Sequence, residues 1–180
     1  MKHICLPLLL ILFVCSCRRY NTQQPAQDTT IVERLKNETL LRVNQQFVEE
    51  DAIEIEIFSK QQNWQMKTTE TGLWYMIYEN GKGKKAVEGK IATLKYTVSL
   101  LDSTICYSSE QTGQKQFLLG KGRRMDSIEP GLEEGVLLMR EGDKARLILP
   151  PHLAHGLTGD GDCIPRRAII LYDVELVHLK

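Results

Sequence analysis

Side chains that could bind a metal are concentrated in one segment near the C-terminal end of the chain. His152 and His155 lie three residues apart, and Asp160, Asp162 and Cys163 follow closely. Zinc sites read from sequence usually combine two regularly spaced pairs of ligands, and this segment has no such pattern. Asp160-Gly-Asp162 also lacks the rest of a calcium-binding EF-hand loop. We therefore predict no metal and no other cofactor.

The same segment has the composition of a long, structured loop. Leu149–Pro165 contains three prolines and three glycines, which is more than a tight hairpin turn needs. Apolar runs that read as strands flank it, Ala145–Leu149 before and Ala168–Val177 after. We interpret the loop as one wall of a pocket.

Strands dominate the pattern from Gly72 onward. β-branched and aromatic residues between turn signals predict further strands at Gly72–Asn80, Lys90–Leu101, Ile105–Ser109 and Gln116–Gly120. Within Pro130–Met139, the residues Leu132, Val136 and Met139 have helical spacing, so one short helix presents an apolar stripe. Strands, one helix and more strands predict an α+β domain, residues 72–180, with an antiparallel sheet wrapped around that helix.

The preceding residues, 30–66, read as a helical segment. Apolar residues recur at helical spacing from Thr30 to about Val48. Ile53–Ile57 alternates like a strand, although Ile55 and Phe58 keep helical spacing, and we favour a second helix here. The segment could form a dimer arm, a clamp for clients, a spacer or an amphipathic cover packed on the domain.

Composition excludes one class of function. The chain has 23 basic and 23 acidic residues and is 42% hydrophobic, as expected of a globular protein. A balanced charge gives no electrostatic argument for binding nucleic acid. We therefore predict that nucleic acid is not a partner.

The first residues read as an export signal. The apolar run Ile4–Val14 follows Lys2 and is too short to cross a membrane as a helix. Val14-Cys-Ser-Cys17 resembles a bacterial lipobox, which predicts a signal peptide at 1–16, an acylated Cys17 and a flexible tether at 17–29. An ordinary secretory signal cut nearby is the alternative. The lipobox implies an exported protein anchored in a bacterial membrane, with the outer membrane favoured.

Several motifs in the C-terminal half occur in the order of a known family. Pro130–Gly135, Met139–Gly156, Ile164-Pro165 and Leu171–Leu176 together resemble the C-terminal half of an FKBP-type peptidyl-prolyl isomerase. The resemblance begins near Gly72, and the whole layout is similar to the gliding-motility-associated FKBP-type lipoproteins of the Bacteroidetes. It implies an FKBP fold, isomerase activity and proline-containing polypeptides as clients.

The resemblance also assigns pocket positions. Isomerising an Xaa-Pro bond needs no nucleophile, acid or metal, because a pocket that desolvates and twists the amide lowers the barrier. The positions that resemble the family's catalytic pocket are Tyr96, His155, Ile164 and Tyr172. Those that resemble its substrate-binding wall are Cys106, Tyr107, Ile128 and Leu132.

Five of the pocket positions depart from the family's usual residues. Cys106 and Tyr107 replace a Phe-Asp pair, Lys115 replaces an aromatic, Leu132 replaces the floor tryptophan and His155 replaces a tyrosine. These changes predict weak or selective isomerase activity. A non-catalytic binding module of the same fold is the alternative function.

Two cysteines match positions on the pocket rim that are close together in the family. Cys106 and Cys163 could form a disulfide, because an exported protein meets an oxidising compartment. Two buried free thiols are the alternative.

Overall fold

A computed structural model of the chain describes residues 29–120 and 128–180. The predicted signal peptide, Cys17 and most of the tether lie outside the described residues. Among the described helices, none is both long enough and apolar enough to cross a membrane. The chain divides into two compact units, one ending at Leu40 and one running from Leu41 to Lys180.

The elements follow the predicted order. The described helices are α1 (Thr29–Gln61), α2 (Ser109–Thr112) and α3 (Pro130–Leu138), with a 3-10 helix at Pro151–Leu153. The described strands are β1 (Lys67–Thr68), β2 (Trp74–Glu79), β3 (Ile91–Leu100), β4 (Ile105–Ser108), β5 (Lys115–Leu118), β6 (Lys144–Leu149) and β7 (Ile170–Leu179). This arrangement confirms the predicted α+β fold, with a helix before the sheet.

All strand pairs in the sheet are antiparallel. The order is β1-β2-β6-β7-β3-β4, and β5 pairs with another part of β3. The long central strands β3 and β7 pair over nearly their whole length, from Ala92 opposite Leu179 to Leu100 opposite Ile170. They form the centre of the sheet.

Helix α3 packs on one face of the sheet through the predicted stripe. Leu132, Val136 and Met139 are fully buried in the main core. A Cβ atom at Gly135 would lie 2.4 Å from the side chain of Leu147, so only glycine permits this close approach of α3 to β6. The packing places the N-terminal end of α3 at one end of the sheet.

Helix α1 is continuous, so the predicted division into two helices near Val48 is wrong. No glycine or proline interrupts it, and it ends before Asn63, whose φ is 56°. In a helix, residues two positions apart point in nearly opposite directions. Accordingly Ile55 is fully buried, whereas Ile53 and Ile57 are 59% and 52% exposed.

The part of α1 in the second unit covers the outer face of the sheet. Ile55 packs with Ile148 of β6 and with Ile169 in a second, smaller core. The guanidinium of Arg167 lies 2.9 Å from the carboxylate of Asp51 and 3.7 Å from the ring centroid of Phe47. Of the roles left open by the sequence, an amphipathic cover describes this part of the helix.

We predict that Ile55 carries most of this packing energy. Ile55→Ala should lower the free energy of unfolding by about 2–5 kcal/mol, because it leaves a cavity between α1 and the sheet. Glu54→Ala at an exposed position of the same helix is the control, with a change within about 0.5 kcal/mol. Urea unfolding measures both, and equal losses would contradict the packing of α1 on the sheet.

Candidate functional site

Two tyrosines on neighbouring central strands form the wall of the candidate site. Tyr96 lies on β3 and Tyr172 on β7, and their ring centroids are 6.2 Å apart with the planes tilted by 47°. The Tyr96 hydroxyl is 2.7 Å from the Thr112 hydroxyl on α2. Tyr172 is almost completely buried, and Leu132 of α3 is fully buried in the same core. The sheet and α3 therefore provide an aromatic wall and an aliphatic floor.

A buried carboxylate also lies at this site. Glu129 is 8% exposed, and its Oε1 accepts a hydrogen bond of 2.8 Å from the Tyr172 hydroxyl. Burial, together with the negative charge of Glu129, raises the pKa of Tyr172 well above its usual value. Tyr172 is therefore a neutral phenol that donates to a carboxylate.

Sequence reasoning missed Glu129. It is the N-cap residue of α3, but its side chain makes no capping bond and points instead to Tyr172. Pro130 at the first helical position marks the start of α3. The position of Pro130 predicts that Glu129 precedes the helix. It does not predict that the Glu129 side chain points to Tyr172.

Two further polar side chains surround the Glu129 carboxylate. Lys115 Nζ lies 3.5 Å from Oε2, and His155 Nε2 lies 3.2 Å from Oε1. The His155 contact lacks the geometry of a hydrogen bond, so this buried nitrogen has no hydrogen-bond partner among the described residues. The site thus combines an aromatic wall with a cluster of polar groups.

The Lys115 ammonium covers the aromatic wall. Its nitrogen is 5.5 Å from the ring centroid of Tyr96 and 5.9 Å from that of Tyr172. Both distances are within the range of cation–π attraction. The charge therefore lies over the part-exposed ring of Tyr96 and the buried ring of Tyr172.

The rim of the site is cross-linked. Cys106 of β4 and Cys163 of the long loop form a disulfide, with the sulfurs 2.16 Å apart and the Cα atoms 5.4 Å apart. Next to it, the Tyr107 hydroxyl donates to Asp160 Oδ2. This hydrogen bond, with burial, raises the pKa of Tyr107 to about 12. Both links connect β4 to the loop.

Asp160 also organises the loop itself. Its Oδ1 accepts hydrogen bonds of 2.9 Å from the backbone N–H groups of Asp162 and Ile164. Burial acts to raise the pKa of Asp160, but the hydrogen bonds from Tyr107 and from the two backbone groups hold it below its usual value. Asp160 is therefore ionised. Its hydrogen bond with the backbone N–H of Ile164 holds that residue in place, with the Ile164 side chain in the main core.

The two histidines of the long loop approach different partners. His152 Nε2 lies 2.9 Å from the backbone oxygen of Thr71, whereas His155 approaches Glu129. Within residues 29–120 and 128–180, no group of His, Cys, Asp and Glu side chains could hold a metal ion.

Comparison with known proteins decides the family. A model of the family described as FKBP-type peptidyl-prolyl cis-trans isomerase matches residues 82–177. The chain belongs to this family.

Curated members of the FKBP family are similar over the same region. The probable isomerase FkpA of Neisseria meningitidis serogroup B is 35% identical over 114 residues, which are 63% of this chain and 40% of that protein. FkpA of Escherichia coli K12 is 32% identical over 125 residues, 69% of this chain and 43% of that protein. FK506-binding protein 2 of Yarrowia lipolytica is 40% identical over 97 residues, 53% of this chain and 65% of that protein. The chain thus spans from two fifths to just under two thirds of these relatives.

Solved structures agree with the FKBP fold. The crystal structure of FkpA from Escherichia coli superposes with a TM-score of 0.60 at 30% identity, covering 83% of this chain and 71% of that one. The crystal structure of AtFKBP13 gives a TM-score of 0.59 at 26% identity, covering 64% of this chain and 99% of that one.

The FKBP fold brings most of the predicted site residues together. Around the Glu129 carboxylate and the aromatic wall lie Tyr96, Lys115, His155 and Tyr172. Ile128 packs against the main core as a half-buried residue, and Leu132 and Ile164 are buried in it. Cys106, Tyr107 and Cys163 lie on the rim.

We predict that the rim disulfide stabilises the domain. The serine double variant of Cys106 and Cys163 should lose about 2–4 kcal/mol in free energy of unfolding, because the bond constrains the unfolded chain. Reductant should destabilise the unaltered protein by a similar amount and leave the double variant unchanged. Alkylation under denaturing, non-reducing conditions is the direct check, and modified Cys106 and Cys163 peptides would contradict the disulfide.

Proposed function

We propose that the chain is a peptidyl-prolyl cis-trans isomerase that acts on proline-containing polypeptides. The observation that carries the proposal is the aromatic pair Tyr96 and Tyr172 in one core with the buried Leu132. Their positions in the sequence resemble those of the family's pocket. The part-exposed Tyr96 ring, with the Tyr172 ring once the Lys115 ammonium moves aside, would offer an apolar surface for a prolyl ring. The Tyr172 hydroxyl is held by Glu129, so the wall keeps its orientation when a ligand enters.

Catalysis at this site would act through the environment of the amide. Amide resonance sets a barrier of about 18–20 kcal/mol to rotation of the peptide bond. A pocket that removes water from the carbonyl favours the twisted amide, whose charge separation is smaller. No residue of the site needs to transfer a proton or form a covalent bond.

We propose further that this activity is weak or selective. Lys115 and Glu129 place a charged pair where an apolar pocket would suit the prolyl ring. A ligand that stacks on Tyr96 and Tyr172 must displace the ammonium from the rings, and part of its binding energy is spent on that displacement.

A second candidate function is a non-catalytic binding module that holds a proline-containing partner within a surface complex. The polar cluster around Glu129 and the replacement of a Phe-Asp pair by Cys106 and Tyr107 favour it. Binding without turnover requires only that the aromatic wall accept the ring.

A protease-free assay of Xaa-Pro peptides separates the two functions. An isomerase should accelerate the exchange of the peptide above the uncatalysed rate, and peptide binding without acceleration would favour the binding module. Cys106→Phe combined with Tyr107→Asp should raise kcat/KM, because it restores the family's usual pair. Cys106→Ser is the matched control, since it also removes the disulfide but adds no aromatic ring.

We also propose that the protein is exported and held on a bacterial membrane, with the outer membrane favoured, through an acylated Cys17. The support is the apolar run Ile4–Val14 followed by the lipobox-like Val14–Cys17. Cys17→Ala should move the protein from the detergent phase to the aqueous phase in a detergent partition. Retention in the detergent phase would contradict lipid attachment at this cysteine.

Helix α1 offers a surface for a dimer. Ile53 and Ile57 lie on its exposed side, and burying them against a second copy would remove apolar area from water. We propose that two chains associate through α1. Sedimentation equilibrium should then give twice the chain mass, with Ile53→Glu returning it to the monomer value.

A further inference from the structure

Lys115 is held at the mouth of the site by weak contacts. Its side chain is 26% exposed. Among the described residues, its ion-pair contact is with Glu129 at 3.5 Å, which is longer than a good charge-assisted hydrogen bond. The ammonium has three N–H donors, so it keeps the capacity to bind a second carboxylate.

Glu129 is held more firmly than Lys115. The 2.8 Å bond from Tyr172, a buried residue of the central strand β7, fixes the carboxylate. The lysine is therefore the partner that moves when a ligand reaches the rings of Tyr96 and Tyr172. The movement would take the ammonium away from both rings and weaken its contact with Glu129.

We propose that Lys115 is a specificity-determining residue that favours clients with an acidic side chain next to the proline. The inference rests on the proposed prolyl-binding function of the site. When the prolyl ring displaces the ammonium, a neighbouring carboxylate of the client replaces the contacts that Lys115 loses. An apolar neighbour leaves the partly desolvated charge without compensation, and a basic neighbour repels it.

The carboxylates of the rim would favour the opposite preference. Asp160 and Asp162 carry negative charge and could attract a basic client residue. Asp160, however, already accepts three hydrogen bonds, from Tyr107 and from two backbone N–H groups. Asp162 is exposed, so solvent screens its charge. Lys115 is partly buried and has ammonium N–H donors free for a client carboxylate. It therefore has the stronger influence on which client residue is preferred next to the proline.

The test compares peptides of the form Ala-Xaa-Pro-Phe with Xaa as Glu, Gln, Leu or Lys. Glu and Gln have the same shape, so the ratio of their kcat/KM values reports the charge alone. We expect a ratio of about 3–10, since one partly buried ion pair contributes on the order of 1 kcal/mol and tenfold corresponds to 1.4 kcal/mol. The Lys peptide should be the poorest of the four.

Variants of Lys115 identify the source of the preference. Lys115→Met should bring the Glu-to-Gln ratio to about one, Lys115→Arg should retain a ratio above one, and Lys115→Glu should favour the Lys peptide. Lys95→Met is the matched control, because Lys95 is 55% exposed and pairs with Glu175 on β7. It should leave the ratio unchanged.

The result can be separated from failure of the isomerase proposal. The dissociation constants of the same peptides, from fluorescence anisotropy, give the Glu-to-Gln ratio even where no peptide is turned over. A ratio of one or less in the unaltered protein, a ratio that survives Lys115→Met, or no binding of any peptide would overturn the role of Lys115. Circular dichroism of each variant confirms that it is folded.

Discussion

The hydrogen bond from Tyr172 to Glu129 is the interaction on which the site depends. It joins the central strand β7 to the N-cap residue of α3 inside the core, where water cannot replace it. The carboxylate lies at the N-terminal end of α3, where the helix dipole favours negative charge. Without this bond, a buried carboxylate would face an aromatic wall, and the ammonium of Lys115 would lose its anchor.

On our proposal, the polar cluster around Glu129 determines which client sequences the site prefers. An apolar bowl accepts any prolyl ring and gains little from the flanking side chains. A site with a fixed carboxylate and a movable ammonium would add an electrostatic contribution to the binding free energy, and its sign would depend on the residue next to the proline. The same groups would cost desolvation energy when a ligand enters, so the proposed selectivity and the proposed low rate would have one physical origin.

The fold could be read from the sequence because its signals are local. The stripe Leu132, Val136 and Met139 predicted α3, and the long apolar runs of β3 and β7 predicted the central strands. The continuity of α1 was harder to predict, because Ile53–Ile57 fits a strand period as well as a helix. The packing of Ile55 on Ile148, which is far away in sequence, decides it.

The site could be read only in part. Tyr96, Tyr172 and the rim cysteines follow from their positions in recognisable motifs. The role of Glu129 does not, because extra residues before Pro130 obscure the register and because its side chain leaves the helix cap for a partner on another strand. Lys115 departs from the family's usual aromatic residue, but its place over two rings depends on the pairing of β3 with both β5 and β7.

A double-mutant cycle between Glu129→Leu and Tyr172→Phe tests the central claim most directly, because neither variant keeps the hydrogen bond. Urea unfolding of the four proteins gives the coupling energy between the two side chains. A buried hydrogen bond to a charged group predicts a favourable coupling of about 1.5–3 kcal/mol. Losses that simply add, with a coupling near zero, would show that Glu129 and Tyr172 do not interact and would contradict this account of the site.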